Sequence, residues 1–173
     1  LALMRNNRLE IEGKELEFTY CRQDGQAIAS NVKKYRKVYD YIVIDCGGVD
    51  NASQRYAMAV TDLFLVVMKP ESLSLWTADR VHENIQDALA FNPTLKSLIL
   101  VNIGWPNGKD NEESIQILKD DNPGFIVLDR AIGRRKDFLK ACDTGSSVRE
   151  IKSRDHKAAD EIEWLMNELI NQF

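Results

Sequence analysis

Cysteine is scarce in this chain, and its few residues are widely separated. Cys21, Cys46 and Cys142 are odd in number and include no C-x-x-C pair. A disulfide framework needs paired cysteines, and a thiolate metal site needs closely spaced ones. The pattern therefore excludes both classes and is typical of reduced cytosolic thiols.

Long hydrophobic runs are also missing. The longest apolar stretches hold about half a dozen residues, whereas a membrane-spanning helix needs about 20. No signal peptide is visible. The formal net charge of −4 does not indicate a nucleic-acid binder as a whole. A chain of 173 residues with 44% hydrophobic content is long enough to bury the core of one globular domain.

A standard phosphate-binding loop is absent as well. No G-x-x-x-x-G-K-[ST] occurs anywhere in the 173 residues. Any nucleotide chemistry would therefore need a phosphate cradle from outside this sequence.

The most informative stretch that is present is Val38–Asp50, V-Y-D-Y-I-V-I-D-C-G-G-V-D. Its apolar run Tyr41–Ile44 predicts a short strand buried on both faces. Asp45 ends that strand at the rim where α/β folds bind ligands. Four apolar residues followed by Asp form a Walker-B arrangement, which helps to hold Mg²⁺ beside phosphates. The alternative is an ordinary core strand whose Asp caps the next helix.

Strand and helix patterns alternate along the rest of the chain. This alternation predicts a doubly wound, mostly parallel α/β sheet with helices on both faces. Further strands are predicted at Leu16–Cys21, Leu63–Met68, Leu98–Ile103 and Phe125–Leu128. Helices are predicted at Gln26–Arg36, Asp50–Val60, from a cap at Ser74 or Thr77 to Phe91, at Asp110–Asp120 and at Asp155–Gln172.

The segment Tyr39–Pro70 resembles the ParA/MinD/Soj superfamily of deviant Walker ATPases, particularly ParA-type partition ATPases. That family's pattern begins with Tyr-Asp, four apolar residues and a second Asp, followed by small residues and a helix. A second strand comes next, preceded by Asp and ended by Pro. The family's loop K-G-G-x-G-K-T and its D-x-D-P-Q switch do not occur here. The opening L-A-L-M-R-N-N-R is similar to the end of the helix after that switch.

We therefore interpret residues 1–173 as a single P-loop NTPase-like α/β domain whose N-terminal part is missing. It would form the C-terminal three-quarters of a ParA-like ATPase. A paralogue that lost its phosphate loop is the alternative.

The resemblance implies ATP and Mg²⁺ as cofactors and assigns roles by position. Asp45 would be the catalytic residue that orients Mg²⁺ through water. Gly47 and Gly48 would sense the γ-phosphate, since glycines let the backbone N–H groups approach it. Asn102 would contact adenine, with a turn-stabilising Asn as the alternative. The nucleotide-binding positions are therefore Gly47, Gly48, Asn102, Ala131 and Ile132, the last two mainly through backbone contact.

Positive charge is concentrated in one late segment. Residues 130–157 hold nine basic and four acidic residues, although the whole chain is acidic. Clustered cations contact phosphates without reading sequence, and members of the family bind the nucleoid in this way. Arg134, Arg135 and Lys136 are therefore predicted DNA contacts. A merely basic surface is the alternative.

The function implied is plasmid or chromosome partition. The intact protein would hydrolyse ATP, form an ATP-dependent homodimer on non-specific DNA, and respond to a ParB-like centromere-binding protein. It would be cytoplasmic and nucleoid-associated, and these 173 residues alone would be inactive. The alternatives are a MinD-like positioning ATPase and a non-enzymatic pseudo-ATPase module. A membrane role is disfavoured, because the final helix carries Glu161, Glu163 and Glu168 and anionic lipid repels acidic residues.

Overall fold

A computed structural model describes residues 2–14, 18–47, 52–70, 75–105, 109–152 and 156–173. Strands and helices alternate between residues 52 and 127. The helices are α1 (Ala2–Ile11), α2 (Ala27–Tyr35), α3 (Ala52–Met58), α4 (Leu75–Phe91), α5 (Lys109–Asp121), α6 (Lys136–Asp143) and α7 (Lys157–Ile170). The strands are β1 (Leu63–Met68), β2 (Lys96–Gly104), β3 (Ile126–Val127) and β4 (Ile132–Gly133).

The sheet is built around β2, and every described pairing is parallel. Residues 63–68 of β1 pair with residues 96–101 of β2. On its other edge β2 pairs first with β3 and then, nearer its carboxyl end, with β4. The parallel sheet predicted from the alternation of elements is therefore confirmed.

Helices cover both faces of this sheet. Ile99 and Val101 of β2 face one apolar cluster together with Ile85 of α4 and Leu118 of α5. On the opposite face the second cluster contains the β2 residues Leu98 and Leu100, with Phe138 of α6 and Trp164, Leu165 and Leu169 of α7 packed against it. Successive side chains of a strand point to opposite faces, so a continuous apolar strand requires cover on both. The doubly wound arrangement is confirmed.

Most predicted elements are confirmed within one or two residues, but Leu16–Cys21 is not a strand in its described part. Residues 15–17 lie outside the described residues, and residues 18–21 form no ladder. Side chains hold this segment instead, since Thr19 Oγ1 bonds to the Tyr39 hydroxyl and Cys21 Sγ lies 3.6 Å from the Tyr35 hydroxyl. The described apolar side chains of this segment, Phe18 and Tyr20, are exposed, so the alternation did not indicate a buried face.

The predicted strand Tyr41–Ile44, buried on both faces, is also wrong. The segment pairs with no described strand, and Val43 is 92% exposed. Ile42 and Ile44 pack against Val32 of α2 and its apolar cluster. The segment is covered on one face only, because no described strand lies beside it to continue the sheet.

Truncation of the central strand provides a test of this core. Leu98 of β2 is fully buried, whereas Leu139 of α6 is 69% exposed. We expect Leu98→Ala to lower the free energy of unfolding by about 2–5 kcal/mol, and Leu139→Ala to change it by less than about 0.5 kcal/mol. Urea denaturation of both variants measures the difference. Equal effects would contradict the placement of β2.

Candidate nucleotide site

The carboxyl end of β2 carries a bulge. Asn102 pairs with Ile132 and Gly104 with Gly133, so β2 has one residue more than β4 between these pairs. The extra residue, Ile103, has a φ of 59°. A β-branched residue rarely adopts this conformation, which costs on the order of 1–3 kcal/mol. Bulges and strained residues concentrate next to functional sites, so this rim is the candidate site.

The Asn102 side chain holds the bulge. The Ile103 backbone N–H donates to Asn102 Oδ1 at 2.8 Å. This is the turn-stabilising role that the sequence left open. The same amide also carries the Nδ2 donor, so the adenine contact stays a prediction.

Gly104 allows the neighbouring elements to close around the rim. A Cβ at this position would lie 3.0 Å from the Asn111 side-chain amide and 3.1 Å from the Ala131 Cβ. Asn111 in turn accepts a hydrogen bond from the Trp105 N–H and donates one to the Trp105 carbonyl, both at 2.9 Å. The start of α5 thereby fixes the first residue of the loop that leaves β2.

A cleft of about 350 Å³ opens beside this rim between α5, residues 129–131 and α7. Its volume lies at the lower end of the range for small-molecule sites, about 300–1,000 Å³. The lining residues are Asn111, Glu112, Ile115, Asp129, Arg130, Ala131, Lys157, Asp160, Glu161 and Trp164. Ala131, predicted to line adenosine, faces this space. Ile132 is 4% exposed and belongs to the core, so only its backbone is available to a ligand.

Two arginines at or near the cleft contact residues of α7. The Arg130 guanidinium lies 5.8 Å from the centroid of the Trp164 ring, in reach of a cation–π interaction. Arg135 binds Glu161 Oε1 through Nη2 at 2.6 Å and Nε at 3.2 Å. The Gly133 N–H donates to Glu161 Oε2 at 3.1 Å. Glu161 therefore joins β4 and the start of α6 to α7.

The three predicted DNA contacts differ in their surroundings. Arg134 and Lys136 are exposed, whereas Arg135 is partly buried by its pairing with Glu161. The composition of the segment alone did not reveal this distinction, because Glu161 lies 26 residues further along the chain.

Asp45 lies on the segment of residues 40–47, which packs against α2 and α3. It is exposed, and Gly47 has open space where a side chain would be. Gly48 lies outside the described residues. Partial burial, and then the Asp45 charge, raise the pKa of the Cys46 thiol, so the thiol stays protonated at neutral pH. No described contact brings Asp45 together with Asn102 or Ala131.

One charged cluster was not anticipated from the sequence. Arg5 of α1 binds both carboxylate oxygens of Glu150, at 2.6 and 3.0 Å. Arg8 reaches Glu150 at 3.3 Å and Ser146 Oγ at 2.5 Å. The only signal for it was a G-x-[SP]-V-x-E motif (Gly145 to Glu150) that resembles the family's, and this motif did not indicate a partner 145 residues away.

Two comparisons with known proteins are informative. The profile of the family described as "AAA domain" (AAA_31) matches residues 5–97, more than half of the chain. The chain belongs to the ParA/MinD-type ATPase family. It is 31% identical over 144 residues to "Maintenance of carboxysome distribution protein A" of Halothiobacillus neapolitanus (strain ATCC 23641 / c2). That match covers 81% of this chain and 64% of the relative's length.

Two features are absent from the described residues of this ParA/MinD-type chain. In those ranges no helix combines the length and the apolar character that a bilayer crossing requires. The same ranges hold no cluster of three or more His, Cys, Asp or Glu side chains with the geometry of a metal site.

The Glu150 cluster predicts a dependence of stability on pH. Hydrogen bonds from Arg5, then from the Ser147 N–H, hold the pKa of Glu150 at about 2, below its ordinary value of 4.5. A lowered pKa means that the stabilisation is complete above pH 4.5 and is lost as the pH falls towards 2. We expect Glu150→Gln to lower the melting temperature at pH 6 and to differ progressively less from the wild type below pH 4.5.

Thermal melts between pH 6 and pH 3 measure this convergence. Glu163→Gln on α7 is the matched control, because Glu163 is exposed and forms no ion pair among the described residues. A difference for Glu150→Gln that stays constant across the whole range would contradict the ionic origin of the stabilisation.

Proposed function

We propose that the intact protein is an ATP-hydrolysing positioning ATPase that uses Mg²⁺. In this proposal these residues supply most of its sheet, its base-binding rim and the carboxylate that orients the metal. The observation that carries the proposal is that β1 pairs on one edge only among the described strands, while the apolar residues 41–46 pack against α2 and α3 without joining the sheet. We infer that a further strand lies between them and brings its following loop to the rim beside Asp45.

The alternation of side chains supports that position. Phe64, Val66 and Met68 of β1 contribute to one face of the sheet, and Leu63 and Leu65 to the other. In residues 41–46 the even-numbered side chains pack towards α2 and α3. Tyr41, which alternates with them, reaches Phe173 just beyond α7, with ring centroids 6.4 Å apart. Among the described residues, no ladder joins the two segments.

The exposure of two valines is consistent with a further strand beside β1. Val43 is 92% and Val67 54% exposed, although both belong to apolar runs of the kind that parallel sheets bury. We infer that a further parallel strand pairs with the free edge of β1 and covers these side chains. The remaining part of a longer ATPase would supply this strand together with the phosphate-binding loop that the sequence lacks.

The base-binding half of the site would be the β2 rim. Ligands in open α/β sheets bind outside the carboxyl ends of the strands. Asn102 lies at that end, and Ala131 faces the adjoining cleft. In our proposal the Asn102 amide contacts adenine, and the backbone at Ala131 and Ile132 lines the adenosine. Gly47 and Gly48 would lie near the γ-phosphate.

Substitution of Asp45 tests the catalytic half of the proposal. We expect Asp45→Asn in the intact protein to lower Mg-dependent ATP turnover about 10- to 100-fold, the usual effect of removing a group that orients a metal indirectly. Asp40→Asn is the matched control, because Asp40 is exposed and lies five residues earlier in the same segment. Steady-state phosphate release measures both variants.

Two results would contradict this assignment. One is equal turnover by the two variants. The other is Asp45-dependent turnover by the 173 residues alone, since positioning by the phosphate loop dominates phosphoryl transfer and this chain has no such loop.

We also propose that the dimeric, ATP-bound protein binds DNA without sequence preference through the exposed cations before and within α6. Arg134 and Lys136 are exposed and would contact phosphates directly. Arg135 would contribute less, because its guanidinium is held by Glu161. Binding of this kind depends on salt through release of counterions.

Paired substitutions separate this surface from the rest of the chain. We expect Arg134→Ala with Lys136→Ala to weaken DNA binding on any sequence and to reduce the slope of log K against log salt by up to about 2. The control is Lys33→Ala with Lys34→Ala, exposed cations on α2. Fluorescence anisotropy at several salt concentrations measures both slopes. A larger loss in the α2 variant would contradict this assignment.

Two candidates follow for the cargo, the object that the ATPase would position. The sequence resembles plasmid and chromosome partition ATPases, which respond to a ParB-like partner. The relative from Halothiobacillus neapolitanus is named for maintaining carboxysome distribution. We therefore keep a protein assembly as the second candidate cargo. Affinity capture of the intact protein in the presence and absence of ATP distinguishes a centromere-binding partner from a component of such an assembly.

A further inference from the structure

We propose that Glu161 of α7 is a positioning residue for the nucleotide base. Its carboxylate holds the backbone of residues 131–133 in the place, relative to Asn102, that base binding requires. The inference rests on the proposed function, because it concerns the same base-binding rim, and it assigns Glu161 no direct contact with the nucleotide.

Both carboxylate oxygens of Glu161 are bound by the segment that follows Ile132. Oε2 accepts the Gly133 backbone N–H at 3.1 Å, and Oε1 accepts hydrogen bonds from Arg135 Nη2 at 2.6 Å and Nε at 3.2 Å. Hydrogen bonds to a charged group are shorter and stronger than neutral ones. The Glu161 side chain is 19% exposed, so water screens these bonds less than it would at the surface. Glu161 therefore fixes main-chain atoms of β4 as well as an arginine side chain.

The backbone of β4 is held from two directions. The Arg134 N–H donates to the Gly104 carbonyl of β2 at 3.1 Å, whereas the Gly133 N–H donates to Glu161. A partly buried N–H group needs an acceptor, and α7 supplies it with a side chain. The position of β4 therefore depends on this carboxylate as well as on the ladder with β2.

The base-lining residues 131–132 lie between two attachments to α7. Before them, the Arg130 guanidinium lies 5.8 Å from the centroid of the Trp164 ring. After them, Glu161 accepts the N–H of β4. Trp164 follows Glu161 by three residues, so both lie on one face of the helix, and Trp164 packs against the apolar cluster of β2. A helix that the core holds thus fastens this backbone at both ends.

The position of this backbone affects the proposed site because β4 pairs with the end of β2 that carries Asn102. Ile132 pairs with Asn102 itself, and Ala131 and Glu161 both line the adjoining cleft. In the proposed site, the Asn102 amide and the backbone at Ala131 and Ile132 contact the same nucleoside. Such sites need supporting residues that hold the contacting groups within about 0.5 Å of their place. Glu161 provides that support.

Nucleotide binding by the intact protein tests the inference. Isothermal titration calorimetry with Mg²⁺ and non-hydrolysable analogues of ATP and GTP measures the preference for the adenine nucleotide. We expect Glu161→Ala to lower that preference about ten-fold, mainly by weakening the ATP analogue, an effect of the size seen when the support of a metal ligand is removed. A general loss of stability would weaken both analogues alike and leave the preference unchanged.

Glu161→Gln provides a second, milder variant. Its amide oxygen can still accept the Gly133 N–H, so we expect a smaller but measurable loss of preference. This variant keeps the test available if alanine disturbs the fold. Glu163→Ala is the matched control, because it removes the same charge from α7 two residues away and Glu163 is exposed. It should keep the wild-type preference.

The possible failures are distinguishable. The inference alone is overturned if the wild type prefers the ATP analogue and Asn102→Ala lowers that preference, while both Glu161 variants behave like the control. Equal binding of the two analogues by the wild type, or an unchanged preference in Asn102→Ala, would instead overturn the proposed base-binding rim and this inference with it.

Discussion

The parallel pairing of β2 on both of its edges is the interaction on which the described structure depends. β1 lies along one edge, while β3 and β4 share the other. Because β2 is apolar on both faces, it also creates the two clusters that hold α4 and α5 on one side and α6 and α7 on the other. The bulge at its carboxyl end then sets the position of Asn102 and of the loop that α5 fixes. The fold and the rim that we propose binds the base thus share one strand.

Local sequence was sufficient to predict an element where that element and its partner strand both lie within the described chain. The runs at Leu63–Met68 and Leu98–Ile103 are apolar and became paired strands as predicted. The run Tyr41–Ile44 has the same character but remains outside the sheet. The difference arises from the neighbour, because a strand is buried on both faces only when another strand continues the sheet beside it. Periodicity indicates which secondary structure a segment can form, but it does not indicate whether a neighbouring strand is present.

The features of the site that sequence did not reveal are long-range or conformational. Glu150 meets Arg5 across 145 residues, and Glu161 meets Arg135 across 26. Neither spacing is a recognisable pattern. The positive φ of Ile103 gave no signal either, since β-branched residues normally indicate plain strand. Composition did identify the cationic segment. Only the fold distinguishes its exposed cations from Arg135, which links the start of α6 to α7 through Glu161.

The open side of β1 has a practical consequence for handling the protein. An apolar strand edge with unpaired N–H and C=O groups is a template on which other chains add, and natural proteins protect such edges with charge, proline or cover. Among the described residues, Val67 of β1 is 54% exposed and no strand pairs with β1 on the side away from β2. If the strand that we propose beside β1 were missing, other chains could pair with this edge, and self-association of the protein would be the consequence.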